Sequence, residues 1–334
     1  MRFLVVGAGA IGGYFGGRLL EAGRDVTFLV RPRRAAELAG AGLTIRSRFG
    51  DAALPAPQRL LAEELNAPFD VVVLSCKAYD LEGAMDSFAP AVGPSTAILP
   101  LLNGMRHLDA LDGRFGAKRV LGGCCSISAA LDAEGRVVHL NDTHLLRFGE
   151  RDGARSPRAE AIAAAFAGAK FDGRLSQTIL PKMWEKWTFI AAAAGINCLM
   201  RAAFGDIVAA GAADLATSLL DECADIAARQ GFPPRSEFLD QIRRVLSTPG
   251  SPLMASMLRD VERGARTEAD HILGDLMRRA GPAGGDRAPL LRIAYAHLRA
   301  YEARRARELG ANAQHHGHNG SRSHEQLGKD GGDG

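Results

Sequence analysis

Short apolar runs punctuate the first half of the chain, at Phe3–Val6, Val26–Val30, Val71–Ser75, Ile98–Leu102 and Val120–Gly122. Each is continuous rather than alternating, the pattern of strands covered on both faces of a parallel sheet. Helical periodicity lies between several of them, for example over Ile11–Ala22 and Arg34–Ala39. Strands and helices in alternation predict a doubly wound, Rossmann-type α/β domain. Near its end, Arg136–Leu140 and Thr143–Phe148 flank Asn141-Asp142, which predicts an antiparallel hairpin turning at those two residues.

After about residue 175 the strand pattern stops. Helical segments rich in Ala and Leu follow, at Pro181–Ala203, Ile207–Gln230, Glu237–Leu246, Pro252–Glu262, Glu268–Ala280 and Ala288–Glu308. Pro233-Pro234, Thr248-Pro249-Gly250 and a local insertion at Gly281–Gly285 punctuate them. An all-α C-terminal domain is expected. From Leu309 core-forming residues run out, so burial cannot offset the entropy of ordering. The expected organisation is therefore 1–175, 176–308 and a disordered tail over 309–334. The tail's His315, His316, His318 and His324 suit adventitious metal capture, and no physiological metal site is expected.

Composition narrows the class. Apolar residues make up 47% and charged residues 24%, ordinary for a globular protein and wrong for a disordered, collagen-like or membrane-embedded chain. A net charge of +3 over 334 residues gives no footprint for nucleic acid or a membrane surface. The five cysteines form no C-x-x-C pair, which argues against a disulfide framework or a zinc cluster. The most apolar late run, Trp187–Met200, is shorter than the ~20 residues of a spanning helix. A cytoplasmic protein with reduced thiols is expected.

Gly7-Ala8-Gly9-Ala10-Ile11-Gly12 follows the first strand and opens the first helix. In that context Gly7 allows the tight turn, Gly9 admits a pyrophosphate against the backbone, and Gly12 lets helix and strand pack closely. The helix N-terminus offers unpaired N–H groups to phosphates. Nineteen residues past Gly12, where NAD enzymes usually carry an acid, stands Arg31, with Arg33 and Arg34 behind it and no acid before Glu37. A guanidinium there fits a 2′-phosphate, so NADPH/NADP+ is the expected cofactor. The alternative is a solvated basic loop.

Lys77 and Asn103 follow the third and fourth predicted strands, at the edge where ligands of such sheets bind, and suit an anionic substrate or the nicotinamide ribose. In Met183-Trp184-Glu185-Lys186-Trp187 both tryptophans flank one lysine. Either Lys186 snorkels along aromatic surface, or it is a partly desolvated ammonium usable as a general acid. Glu268 opens a predicted helix, as a cap or as a site acid.

These pieces together resemble the 2-dehydropantoate 2-reductase (ketopantoate reductase) family over residues 1 to about 307. The resemblance is carried by Gly7–Gly12, Arg31, Cys76-Lys77-Ala78, Asn103-Gly104-Met105, Trp184-Glu185-Lys186, Ser256-Met257-Leu258-Arg259-Asp260 and Thr267-Glu268-Ala269-Asp270. It implies reduction of ketopantoate to pantoate by NADPH, in pantothenate and coenzyme A synthesis. It also implies that Lys186 donates the proton, Glu268 positions substrate and lysine, Lys77 and Asn103 line the crevice, and Ser256 contacts substrate. The family commonly carries Asn one and two turns past the lysine, where this chain has Ile190 and Ala194. Asn197, three turns past Lys186, either replaces a lost amide at the substrate or is satisfied by backbone. Two alternatives follow: a paralogue reducing another branched 2-oxo acid, and a non-catalytic NADP(H) sensor, which would not need Lys186 and Glu268. The expected partner is a small 2-oxo acid rather than nucleic acid or membrane, and a homodimer is compatible with the sequence.

Overall fold

The computed structural model describes residues 1–282 and 287–322, with side chains through Gly310. Two compact units divide the chain: Met1–Ile190 with Ala224–Gln241, and Ala191–Cys223 with the residues from Ile242 onward.

The first unit is built on a parallel sheet of β1 (Arg2–Val6), β2 (Asp25–Leu29), β5 (Gln58–Leu60), β6 (Val71–Leu74) and β7 (Ala97–Pro100), in the order β5-β2-β1-β6-β7. The central strands are buried except for Arg2 at the start of β1, as their apolar runs require. The run at Val120–Gly122 does not extend this sheet. Val120 makes one parallel bridge to Ile98, and the chain passes into a second sheet. The fifth parallel strand is instead β5, whose polar Gln-Arg-Leu sequence gives little apolar signal.

The second sheet contains β3 (Leu43–Arg46), β4 (Ala52–Leu54), β8 (Gly122–Leu131), β9 (Val137–Gly149) and β10 (Asp172–Leu175). β9 pairs antiparallel with β8 along its length and takes β3 near its start and β10 near its end. The hairpin expected at Asn141-Asp142 is corrected: β9 runs straight through those residues. The turn lies at Asp132–Arg136, where Gly135 has φ +75°. Asn141-Asp142 sits in a bulge instead, and Asn141 Oδ1 accepts from Ser128 N at 2.8 Å, replacing the missing ladder partner.

Helix α1 (Ala10–Glu21) lies between the two sheets. A Cβ at Gly16 would stand 2.7 Å from the Phe28 ring, against the first sheet. At Gly17 it would stand 2.8 Å from Ile45, against the second. Helices α2 (Pro32–Ala41), α3 (Leu81–Phe88), α4 (Arg106–Phe115) and α5 (Pro157–Phe166) complete the α/β body. The aromatic core of Phe3, Phe15, Phe148, Phe166 and Phe171 joins both sheets to α1 and α5.

The first unit reaches past the expected boundary at 175, for identifiable contacts. Helix α6 (Ile179–Met200) packs its first turns on β8, where a Cβ at Gly122 would stand 2.8 Å from Ile179 Cγ2 and 3.3 Å from Met183 Sδ. Trp184 stacks on Phe232 at 5.4 Å, which brings in the end of α8 (Ala213–Arg229) and the start of α9 (Ser236–Leu246).

The second unit is helical. It holds the end of α6, α7 (Phe204–Ala209), most of α8, the end of α9, α10 (Ser256–Glu262), a π-turn at Asp270–Gly274 leading into α11 (Asp275–Arg279), and α12 (Pro289–Arg322). The single helix expected over Ile207–Gln230 is two, because Gly211 turns the chain at φ +76°. Glu222 caps α12 by accepting from Leu290 N and Leu291 N at 3.1 and 2.9 Å. α12 continues through Arg322, into the segment where disorder is expected from 309, and Leu309 on it is half-exposed. The rest of the tail, the histidine side chains and most of the Gly281–Gly285 insertion lie outside the described residues. Among the described residues no helix is long and apolar enough to cross a membrane.

Candidate active site

Parallel strands bring their C-terminal ends to one edge, so sheet order sets the order of the residues that follow them. Along that edge stand Arg31 after β2, Gly7–Gly12 after β1, Lys77 after β6 and Asn103 after β7. Three strand spacings separate the first from the last, about 14 Å, the scale of an extended dinucleotide.

The glycine turn has the geometry its sequence predicts. Gly7 has φ +93°, and its N donates to Leu29 O at 2.9 Å. Gly12 stands so close to the turn that a Cβ would lie 2.0 Å from Gly7 O. Ser75, at the end of β6, donates Oγ to Val6 O at 3.0 Å and to Gly7 O at 3.2 Å, strapping the turn from the neighbouring strand. A Cβ at Gly9, by contrast, would meet open space. α1 starts at Gly9 without a side-chain cap and without an acid in its first turn, leaving its N–H groups and dipole facing that space. These features fit the pyrophosphate of a dinucleotide, with Ala8, Ala10 and Ile11 supplying backbone around it.

Arg31 is the N-cap residue of α2 and 77% exposed. It does not lack an acidic neighbour, as the sequence suggests. Asp80, at the end of the 3-10 turn Ala78–Asp80, lies 3.0 Å from its Nη2. Arg33 and Arg34 share Glu37 instead, at 3.0 and 2.9 Å. Arg34 also donates Nε to Ala8 O at 2.9 Å, tying the start of α2 to the glycine turn. Neither Asp80 nor the Arg34 tie is visible in sequence, because Asp80 looks like a helix cap and Arg34 like one more basic loop residue.

At the other end of the edge, Asn103 is half-buried in the loop after β7, where Gly104 has φ +78°. Lys77 is half-buried at the start of its turn. β8 begins beside β7, with the Cβ position of Gly123 only 2.3 Å from Pro100 O. Gly122 and Cys124 share one face of β8, and Met183, Lys186 and Ile190 share one stripe of α6. Gly122 touches Met183, so Cys124 comes beside Lys186. Burial pushes the Cys124 thiol up, against the opposing pull of the Lys186 ammonium. Lys186 thus stands beside the start of β8, which itself begins next to the end of β7.

The two tryptophans pack on each other at 4.8 Å, and both are buried. Glu185, next to Lys186, is buried as well and holds Arg235 and Lys182. Burial raises its pKa, but the Arg235 fork and then Lys182 outweigh it and hold the carboxyl below its ordinary value. The pairing of Glu185 has one usable signal in the sequence, an acid beside an aromatic cluster with no lysine four residues on.

In the second unit, Glu268 is buried between two anchored neighbours. Thr267 donates N and Oγ1 to Glu302 Oε1 at 2.6 and 2.7 Å. Asp270 accepts from Tyr295 Oη at 2.6 Å, and a Cβ at Gly274 would collide with that tyrosine at 2.7 Å. The wider π-turn at Asp270–Gly274 makes room for the ring. Ser256 opens α10 and is exposed. Asn197 has both ends on backbone: Nδ2 donates to Ala202 O at 2.8 Å, and Oδ1 accepts from Ala255 N at 2.9 Å. Among the described residues no group of three or more His, Cys, Asp or Glu side chains could hold a metal ion.

Residues 3–153 match the family described as Ketopantoate reductase PanE/ApbA, and residues 178–302 match Ketopantoate reductase PanE/ApbA C terminal. The chain belongs to the ketopantoate reductase family. It is 40% identical over 304 residues to a Bacillus subtilis (strain 168) protein named Uncharacterized oxidoreductase YkpB, covering 91% of this chain and 99% of that one. A 2-dehydropantoate 2-reductase of Mesorhizobium japonicum is 28% identical over 298 residues, covering 82% and 89%. The crystal structure of 2-dehydropantoate 2-reductase from Geobacter metallireducens superposes with a TM-score of 0.80 at 28% identity, covering 90% and 99%. As a ketopantoate reductase family member, the chain is an oxidoreductase of the 2-dehydropantoate 2-reductase type, with the expected Rossmann-type domain followed by a helical one.

Proposed function

We propose that the protein reduces 2-dehydropantoate to (R)-pantoate with NADPH, in pantothenate and coenzyme A synthesis. The observation that carries this reading is the order along the sheet edge: Arg31, glycine turn, Lys77, Asn103. Arg31 would take the 2′-phosphate, the turn and the first N–H groups of α1 the pyrophosphate, and Lys77 and Asn103 the nicotinamide end and the substrate. The nicotinamide, when bound, supplies hydride to the 2-oxo carbon. Negative charge then gathers on the carbonyl oxygen, where the Lys186 ammonium stabilises it and delivers the proton. The family resemblance adds Glu268 and Ser256 as substrate-positioning groups.

A second reading, another branched 2-oxo acid as substrate, has its own support. The α6 stripe past Lys186 carries Ile190 and Ala194, and the Asn197 amide is committed to backbone. That stripe offers no amide to a substrate hydroxyl. The test is a panel of 2-oxo acids with NADPH, followed by loss of NADPH absorbance. The proposal expects the highest kcat/KM for 2-dehydropantoate. A preference for the analogue lacking the hydroxyl, reversed by Ile190→Asn, would favour the second reading. No turnover with any 2-oxo acid would reject both.

A further inference from the structure

Arg31 and Asp80 leave the sheet on the two strands that flank β1, one after β2 and the other past the end of β6. The glycine turn rises from β1 between them. Their 3.0 Å ion pair therefore reaches across the end of β1, from one flanking strand to the other. The placement is supported from both sides. On one side, Arg34 anchors the first turn of α2 to Ala8 O, which fixes the backbone that carries Arg31. On the other, Asp80 is the N-cap residue of α3, a position where aspartate usually accepts from the helix N–H groups. Here its side chain makes no capping bond, and the carboxylate is turned to Arg31 instead.

We propose that Asp80 is a specificity-determining residue for the dinucleotide, because its carboxylate occupies the guanidinium that a 2′-phosphate must take. This rests on reading Arg31 as the phosphate contact. NADPH has to exchange phosphate for carboxylate at Arg31, whereas NADH, with a hydroxyl there, binds with the pair in place. A phosphate carries up to two charges and three acceptor oxygens, so it wins the exchange. The displaced carboxylate stays close and repels it. Asp80 thus lowers affinity for NADPH alone and narrows the preference between the two nucleotides. The pair is solvent-accessible, with Asp80 34% exposed, so the effect is bounded at about fivefold.

The test is calorimetric titration of NADPH and NADH into the full chain, for wild type, Asp80→Asn, Arg31→Ala and the double variant, at low and high salt. Asp80→Asn is expected to tighten NADPH about three- to fivefold at low salt and less at high salt. NADH should stay within about twofold. The gain should disappear in the Arg31→Ala background. If Arg31→Ala weakens NADPH selectively while Asp80→Asn leaves it unchanged or weaker, this inference falls and the phosphate reading stands. A gain that survives undiminished without Arg31 also overturns it, since simple charge repulsion would then suffice. If Arg31→Ala weakens both nucleotides alike, the phosphate reading fails and takes the inference with it.

Discussion

Glu185 and Arg235 meet at two points, Nε to Oε1 at 2.6 Å and Nη2 to Oε2 at 3.0 Å, one residue from the lysine that the proposed reaction needs. The pair fastens the α8–α9 connection to the first turns of α6. Arg235→Met should leave Glu185 buried with only Lys182 to answer it. Charged hydrogen bonds contribute about 1.5–3 kcal/mol each, and the 58% exposure of Arg235 lowers the expected loss to about 1–2 kcal/mol. The folded-state pKa of Glu185 is depressed, so its contribution is present above the ordinary value of 4.5 and lost as pH falls through the depressed one. Melting curves should show a constant gap between variant and wild type at neutral pH that closes in acid.

Lys186→Ala should lower kcat about a hundredfold or more, the usual scale for losing a general acid. NADPH affinity should hardly change, because the glycine turn after β1 and Arg31 after β2 belong to other elements than α6. Lys186→Arg should rescue poorly, since a guanidinium keeps its proton. Single-turnover hydride transfer at saturating NADPH reads the step directly. A folded alanine variant with near wild-type transfer would remove Lys186 from the mechanism.

Arg31→Ala should weaken NADPH at least about tenfold and NADH much less, for the loss of one or two charge-assisted hydrogen bonds. Fluorescence titration of both nucleotides distinguishes this from a general scaffold role, which would weaken the two equally.

His144 should make the α/β body sensitive to mild acid. Its Nδ1 lies 2.7 Å from Tyr14 Oη, and its ring stacks on Phe49 at 3.9 Å and faces His139 at 5.8 Å. Burial first, then His139 and Arg18, hold its pKa below the ordinary 6.5, against a weaker opposite pull from Asp172. The folded state therefore binds fewer protons than the unfolded one just below pH 6.5, and stability should fall as pH drops from there toward the depressed value. His144→Gln should flatten that part of the melting-temperature profile. An unchanged slope would assign the acid sensitivity elsewhere.

The parallel sheet was legible because Val71–Leu74 and its neighbours are covered on both faces, which only an unbroken apolar run satisfies. β5 was not, because an edge strand of Gln58-Arg59-Leu60 needs no such run. Asn141-Asp142 misled for a chemical reason: the amide that favours a turn also serves a bulge, by standing in for a ladder partner. The glycine turn could be read locally, since strand, turn and helix are contiguous. Asp80 could not, because its meeting with Arg31 is set by the order of strands in the sheet. Asn197 left two readings open, and the bonds to Ala202 and Ala255 show its amide occupied with backbone.

Helix α1 is wedged between two sheets, with glycines rather than side chains at its closest contacts on either flank. A helix seated in that way has no slack to pivot, slide or rotate without driving its backbone into Phe28 on one side or Ile45 on the other. The floor of the dinucleotide cleft is therefore expected to behave as bedrock. Whatever give the protein needs when a nucleotide arrives or departs falls to the rim, to solvent-washed side chains such as Arg31 that can let go and re-form within nanoseconds. Exchange of bound for free nucleotide should then proceed without any melting of the cleft, and amide hydrogens along α1 should stay as protected in the empty protein as in the loaded one.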